Sequence, residues 1–260
     1  VATDGAVWGI CMARDEADII AATVAHMATQ VDHVLVADNL SKDDTARLAV
    51  DAGAQVVPDS EPAYWQSDKM TGLAAVARSR GAAWVVPFDA DEIWHTRSGQ
   101  RIGDYLAGVD AHVAIADLFD HWTTDADVLD EPDPTRRMTW RSALSGALPK
   151  VACRTALDLT IHMGNHSATY EHPTGHARGE LVVRHFPYRS PEQFVRKARQ
   201  GGAALARTGL HRSIGAHWRQ YARTLEQHGE GALAAHYWDA FHYRDPVAAG
   251  LVCDPPPVRP

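Results

Sequence analysis

The chain has 260 residues, enough for one α/β domain with a sizeable core, and its 45% hydrophobic and 22% charged residues suit a well-cored globular protein. A net charge of -8 gives no electrostatic footprint for nucleic acid, and no apolar run approaches the ~20 residues that span a bilayer. Cys11, Cys153 and Cys253 are far apart and form no CxxC pair, which argues against a disulfide framework or a thiolate zinc site and suits a reducing compartment. The leading VATDGAVW has neither a basic region nor a long apolar one, so the expectation is a cytoplasmic protein without a transmembrane segment.

Along the first half, strand and helix signals alternate. Residues 6–12 are a short apolar run and read as a strand; Asp15 then reads as an N-cap, and Ile19, Ile20, Thr23, Val24 and Met27 give a helical stripe. Residues 33–38 read as a buried strand, Ser41 as the cap of a helix that stops at Gly53, and 54–58 as a third strand. A third helix is expected over 67–81 and a fourth strand over 82–89. Strands separated by helices of about ten residues imply βαβ units and a mostly parallel, Rossmann-like sheet.

The second half is less regular. A strand is expected at 109–119, then a long loop or lid over 121–150, in which the acidic 125–135 stands out. A strand at 181–188 leads to a helix at 191–207, with Ser190, Pro191 and Gln193 at N-cap, N1 and N3. Residues 214–245 read as helical and the tail as proline-rich and extended. With no repeat and no clean linker, one domain over 1–260 is expected, with a nucleotide-binding half at 1–108 and an acceptor-binding half at 109–260.

Three polar clusters fall at the carboxyl ends of successive expected strands: ARDE at 13–16, DNLSKDD at 38–44 and DADE at 89–92. Ligands of open α/β sheets bind beyond those strand ends, so the clusters should converge on one cleft. Asp89, Asp91 and Glu92 crowd within four residues; such carboxylates repel one another unless a cation neutralises them. The pairs His162/His166 and His172/His176 have zinc-like spacing, but Gly164, Pro173 and Gly175 interrupt any helix that would align them. Trp65, Trp94 and Trp122 are candidates for stacking in the cleft, whereas Trp84 reads as core, and Trp218 and Trp238 as helix packing.

The string GICMARDEADIIAATVAHMATQVDHVLVADNLSKDDT, followed by WVVPFDADE, resembles the family 2-like nucleotide-sugar glycosyltransferases of the GT-A fold; GNH at 164–166 and RHFPYRSPEQFVRKARQGG at 184–202 extend the resemblance over nearly the whole chain. It implies metal-dependent transfer of a sugar from a nucleotide diphosphate donor, UDP-linked in most such enzymes, to an acceptor hydroxyl, with inversion. The acceptor is expected to be a soluble small molecule or a glycan. The resemblance further implies that Ala13, Arg14, Asp15 and Glu16 wrap the nucleoside, that Asp38 bonds the base, and that Lys69 lies near the nucleotide. It gives Asp89, with Ala90 beside it, to the ribose or the metal, Asp91 to Mn2+ or Mg2+ as principal ligand, and His185 to the same ion. Arg189 and Lys197 are candidates for added positive charge at the diphosphate. His166 is the favoured base, with Glu171 and Asp117 as alternatives. Two other functions compete: a sugar-phosphate nucleotidyltransferase, against which the absence of a glycine-rich GxGxR loop counts, and a non-catalytic nucleotide-sugar-binding protein.

Overall fold

The computed structural model describes residues 5–128, 130–172 and 174–256; the first four residues, the last four of the proline-rich tail, Leu129 in the acidic stretch and Pro173 between two of the histidines lie outside the described residues. The chain separates into two compact units, one comprising the residues up to Ser60, Gln66–Asp120 and Leu144–His185, the other Glu61–Trp65, His121–Ala143 and the residues from Phe186 on.

The first unit is an α/β layer structure. Its sheet is laid down by β1 (Ala6–Ala13), β2 (His33–Asp38), β3 (Gln55–Pro58), β4 (Ala82–Asp89) and β5 (Glu92–Thr96), with α1 (Ile20–Gln30), α2 (Thr45–Asp51) and α3 (Gln66–Ser79) between the early strands. After β5 come α4 (Ile102–Ala107) and β6 (Val113–Thr124), then α5 (Pro134–Arg137) and β7 (Trp140–Arg141), which belong to the second unit, and, back in the first, β8 (Lys150–Arg154), the short pair β9 (Thr160–Ile161) and β10 (Ala168–Thr169), and β11 (His176–His185). The strand order is β3-β2-β1-β4-β8-β6-β11-β5, parallel along β3-β2-β1-β4 and between β6 and β11, antiparallel at β8 and β5. One margin is therefore β3, four residues ending in Pro58.

Strand alternation explains why the middle of this sheet is apolar throughout. Val7 and Cys11 of β1 join Val34, Val36, Val86 and Phe88 on one face, where α1 contributes Ile20, Val24 and Met27 and α4 contributes Ile102 and Leu106. Trp8 and Ile10 join Leu35, Ala37 and Val85 on the other, against Met70, Leu73, Ala74 and Ala77 of α3. Both faces of a parallel sheet are covered, so its strands lose the polar alternation of a half-exposed one. Each fully buried side chain such as Met27 contributes about 1.5–3 kcal/mol by leaving water. A Cβ at Gly9 would stand 3.1 Å from the Phe88 ring, a tight contact that the ring would have to yield to.

Several expected elements shift. The strand expected at 109–119 starts at Val113 and runs on to Thr124, and the six-residue α4 before it was not expected. β5, which follows the DADE turn at once, was not expected. The stretch 121–150 is not a single loop: it holds the end of β6, α5 and β7, and Asp133 caps α5 by accepting a bond from the Thr135 amide at 2.9 Å.

The second unit is built on α6 (Pro191–Ala206) and α7 (Ala216–Ala240), followed by β12 (His242–Tyr243) and β13 (Val252–Cys253). Ser190 is the N-cap of α6, its hydroxyl accepting from the Gln193 amide at 3.2 Å, with Pro191 in the first turn as expected. The helix expected over 214–245 ends at Ala240 and is interrupted at Gly229, whose φ of 79° and ψ of 178° no helix contains. Phe194, Val195 and Ala198 pack on Leu233 and Tyr237. The last residues of β6 pair with β12 and β7, and β7 with β13.

Candidate active site

The central strands bring the three polar clusters to one edge of the sheet. Ala13 at the end of β1 lies opposite Asp38 at the end of β2, and Met12 lies opposite Asp89 at the end of β4. The carboxyl ends of three neighbouring parallel strands therefore carry ARDE, DNLSKDD and DADE side by side, at the position where open α/β sheets take their ligands.

Loops 13–17 and 39–45 are stitched to each other. Ser41 Oγ accepts from the Asp15 amide at 3.0 Å, Thr45 Oγ1 from the Glu16 amide at 2.8 Å, and Asp43 Oδ2 from the Ala17 amide at 3.2 Å. In return the Asp15 carboxylate accepts from the Lys42 amide. These bonds correct two expected caps. Asp15 does not cap α1, which starts at Ile20; it sits at a φ of 51° with its carboxylate committed to the neighbouring loop. Ser41 does not cap α2, whose N-cap is Asp44. Short polar side chains that look like helix caps in sequence here satisfy backbone amides on a loop more than 25 residues away.

Within this edge Asp38 is half-buried, and its Oδ1 is buried with no hydrogen-bond partner, as is Arg14 Nε. An acceptor and a donor held out of water without partners are costly unless a ligand completes them. Ala13, Glu16 and Ala90 are buried, and the Ala90 carbonyl accepts from Thr23 Oγ1 at 2.8 Å. Lys69 has a partner that the sequence did not announce: its Nζ lies 2.6 Å from Asp59 Oδ2, which also accepts from Asn39 Nδ2 at 2.8 Å.

The crowding in DADE is relieved in an unexpected way. Lys150, at the start of β8 and only 3% exposed in its side chain, places Nζ 2.6 Å from both Asp89 Oδ2 and Glu92 Oε1. Asp89 Oδ1 accepts from Asn165 Nδ2 at 3.1 Å and from Gln66 Nε2 at 3.4 Å. Glu92 is fully buried, and its Oε2 accepts from the Asp89 amide and from Trp94 Nε1, each at 3.1 Å. Burial pushes the Glu92 carboxyl up to about 7, against the pull of Lys150. Burial acts to lower Lys150 as well, but Asp89 and Glu92 outweigh it and hold the ammonium well above the ordinary lysine range. Lys150 thus stays protonated.

Asp91, almost wholly buried, looks the other way. His185 at the end of β11 points Nε2 toward Asp91 Oδ1 at 3.7 Å, while its Nδ1 is 2.6 Å from Asp120 Oδ1. Burial works to lower this imidazole's pKa, but Asp91 and Asp120 together raise it. A histidine anchored by a carboxylate on one nitrogen is the usual support for a metal ligand on the other. The 3.7 Å separation is too long for a hydrogen bond. Among the described residues no group of three or more His, Cys, Asp or Glu is arranged to hold a metal.

The GNH segment closes the site. Gly164, at a φ of 73°, donates its amide to Gln66 Oε1 at 2.7 Å, and Asn165, fully buried at a φ of 57°, reaches Asp89. His166 Nδ1 lies 2.8 Å from the Pro149 carbonyl, which makes Nδ1 the protonated nitrogen and leaves Nε2 as the acceptor. Burial, with Lys150 nearby, lowers the His166 pKa and favours the neutral ring. A Cβ on Gly164 would stand 2.4 Å from that ring, so the glycine is what admits it. Of the alternative bases, Asp117 is tied to Arg97 at 2.7 Å, and exposed Glu171 donates its amide to Asp158.

Arg189 and Lys197 belong to the second unit. Arg189 is buried, its Nη1 donating to the Phe186 carbonyl at 3.0 Å, and Lys197 is half-buried on α6. Trp94 is not available for stacking on a ligand; it is fully buried and packs in the core, as Trp84 does. Trp122 stacks on Phe241 at 5.9 Å, and Trp238, expected to be packed, is 53% exposed.

No protein-family model matches the chain. A TPR repeat-containing protein of Synechococcus elongatus is 31% identical over 84 residues, which cover 32% of this chain and 20% of that protein, so the chain matches about a fifth of the length of this curated relative. Among solved structures, S. aureus TarS 1–349 in complex with UDP-GlcNAc is similar at 15% identity and a TM-score of 0.43, over 85% of this chain and 73% of that one. Glucosyl-3-phosphoglycerate synthase from Mycobacterium tuberculosis, in complex with Mn2+, UDP and glucosyl-3-phosphoglycerate, is similar at 19% identity and a TM-score of 0.35, over 44% of each chain. A mycobacterial protein is similar at 17% identity and a TM-score of 0.40, over 81% of this chain and 77% of that one.

Proposed function

We propose that this chain is a glycosyltransferase that moves a sugar from a nucleotide diphosphate donor, most simply a UDP-sugar, to an acceptor hydroxyl with inversion, using Mn2+ or Mg2+. The observation that carries the reading is Asp91 facing His185 Nε2 across 3.7 Å, with Asp120 holding the far side of the ring. This donor set fits a hard or borderline divalent cation, and the donor's diphosphate oxygens would complete the coordination. When bound there, the ion offsets the charge that develops on the departing diphosphate.

The remaining roles follow from the chain's own groups. Asp38, with its unpartnered buried oxygen, accepts from the N–H of a nucleobase, and the stitched 13–17 loop with Arg14 closes over the nucleoside. The partly exposed Asp89 accepts a hydroxyl of the donor. His166, neutral and with Nε2 free to accept, takes the proton from the attacking hydroxyl. Glu92 and Trp94 are buried supports that hold the backbone of the turn. The acceptor is a small molecule or a glycan that offers such a hydroxyl.

The test is incubation with a panel of nucleotide sugars and Mn2+, with chromatography for released nucleoside diphosphate. Turnover that stops with EDTA and with Asp91→Asn, in a variant that keeps its melting temperature, supports the reading. Turnover unaffected by either, pyrophosphate in place of nucleoside diphosphate, or no binding of any nucleotide would overturn it.

A further inference from the structure

We infer that Gln66 is a positioning residue: from the start of α3 it ties the turn that carries His166 to Asp89, and so sets the spacing between the proposed base and the proposed donor-binding carboxylate. This rests on the roles given to His166 and Asp89 above and adds the group that holds them in register. Gln66 is the first residue of α3 and is 5% exposed. Its carboxamide serves both sides: Oε1 accepts from the Gly164 amide at 2.7 Å, and Nε2 donates to Asp89 Oδ1 at 3.4 Å. The same Asp89 oxygen accepts from Asn165 Nδ2 at 3.1 Å, so Gln66, Gly164, Asn165 and Asp89 close a ring. A carboxamide suits this place, because one side chain must accept from a backbone N–H and donate to a carboxylate. The following turn of α3 extends the grip: Ser67 Oγ donates to the Ile161 carbonyl at 2.6 Å, and Thr71 Oγ1 accepts from the Ile161 amide at 3.0 Å. β9 and β10 form a two-stranded sheet apart from the main one, so these side-chain bonds fix the turn where no ladder of the main sheet does. The turn needs such a hold. Gly164 and fully buried Asn165 are consecutive left-handed residues, at φ of 73° and 57°, and a non-glycine residue stays in that region only where its surroundings determine it. His166 follows directly, its ring placed by this turn and by the Pro149 carbonyl. Gln66 therefore acts through His166 and not on the substrate.

The test is steady-state release of nucleoside diphosphate by the full chain with Mn2+, from whichever of UDP-glucose, UDP-N-acetylglucosamine and GDP-mannose the wild type turns over fastest. Gln66→Met keeps the length of the side chain and removes both bonds. It should lower kcat about tenfold and leave KM for the donor within about threefold, since Lys150 and Asn165 still hold Asp89. Gln66→Glu keeps an oxygen for the Gly164 amide and should return kcat to within about threefold of the wild type. Because His166 transmits the effect, adding Gln66→Met to His166→Ala should cost less than about twofold more. In protein labelled at the histidine ring nitrogens, the His166 imidazole resonances should move in Gln66→Met and stay in Gln66→Glu. Where Gln66→Met does not fold, Gln66→Asn, one methylene shorter and unable to reach both groups, takes its place in each comparison. A folded variant with wild-type kcat or unmoved His166 resonances, a glutamate variant as slow as the methionine one, or a loss undiminished in the His166→Ala background overturns the positioning role and leaves sugar transfer standing. A wild type that releases no nucleoside diphosphate from any of these donors overturns the proposed function, and this inference falls with it.

Discussion

The stitched loops at the sheet edge give the most direct energetic test, through Thr45→Val. Thr45 is fully buried; its Oγ1 accepts from the Glu16 amide at 2.8 Å and donates to Asp43 Oδ1. Valine keeps the shape and removes both bonds, stranding the amide of buried Glu16. A buried N–H left unpaired costs about 1–3 kcal/mol, far more than the change in apolar area between the two side chains returns. Taking about 2 kcal/mol, and about 2–4 °C per kcal/mol for a domain of this size, the melting temperature should fall by about 4–8 °C. Thr45→Ser retains the hydroxyl and should lose less than half as much. Differential scanning calorimetry of the three proteins at one pH and concentration reads both numbers. A valine variant that melts with the wild type, or a serine variant as unstable as valine, would refute the stitch as the source of order in loop 13–17.

Three further outcomes are expected. Ser190→Ala removes the cap of α6 and should destabilise its unit by about 1 kcal/mol, read as a shift in the urea midpoint; no shift would mean the Gln193 amide finds another acceptor. Gly164→Ala places a methyl 2.4 Å from the His166 ring at a φ of 73°, so it should cost about 1–2 kcal/mol and shift the imidazole's two-dimensional NMR resonances; unmoved resonances would contradict the close approach. Asp32 tests pH dependence. Burial acts to raise its pKa, but the Val7 amide at 2.8 Å and Arg101 at 3.0 Å outweigh it and lower the pKa on folding. A depressed carboxylate stabilises above its unfolded pKa and loses that contribution as pH falls through the folded value. The melting-temperature gap between wild type and Asp32→Asn should therefore be present at neutral pH and shrink as the pH drops below about 4; a gap unchanged at low pH would rule out this linkage.

The sequence revealed most about the fold where burial was continuous. Strands at 33–38 and 82–89 and the helical stripe at 20, 23, 24 and 27 were legible because parallel strands covered on both faces leave nearly unbroken apolar runs. α4 and β5 were not, since six- and five-residue elements carry too little periodicity to stand out. The DADE cluster was legible as a charge problem, but its internal solution was not. Lys150 stands 58 positions beyond Glu92, and a single lysine after a proline gives no sign of being buried. The same limit hid Asp59 as the partner of Lys69, and it made Asp15 and Ser41 look like local caps when their partners lie on another loop. Pairings set by tertiary contact leave no spacing to read. GNH gave a partial signal: Gly164 announced a tight turn, whereas the reach of Asn165 to Asp89 required the fold.

The shortness of β3 bears on how the protein behaves in a crowded solution. A four-residue rim strand offers few free backbone groups to a second molecule, and Pro58 at its end has no N–H to give. Side-by-side stacking of copies into a longer ribbon is thereby discouraged at this margin, so concentrated protein should resist fibril growth from that side without any dedicated guard.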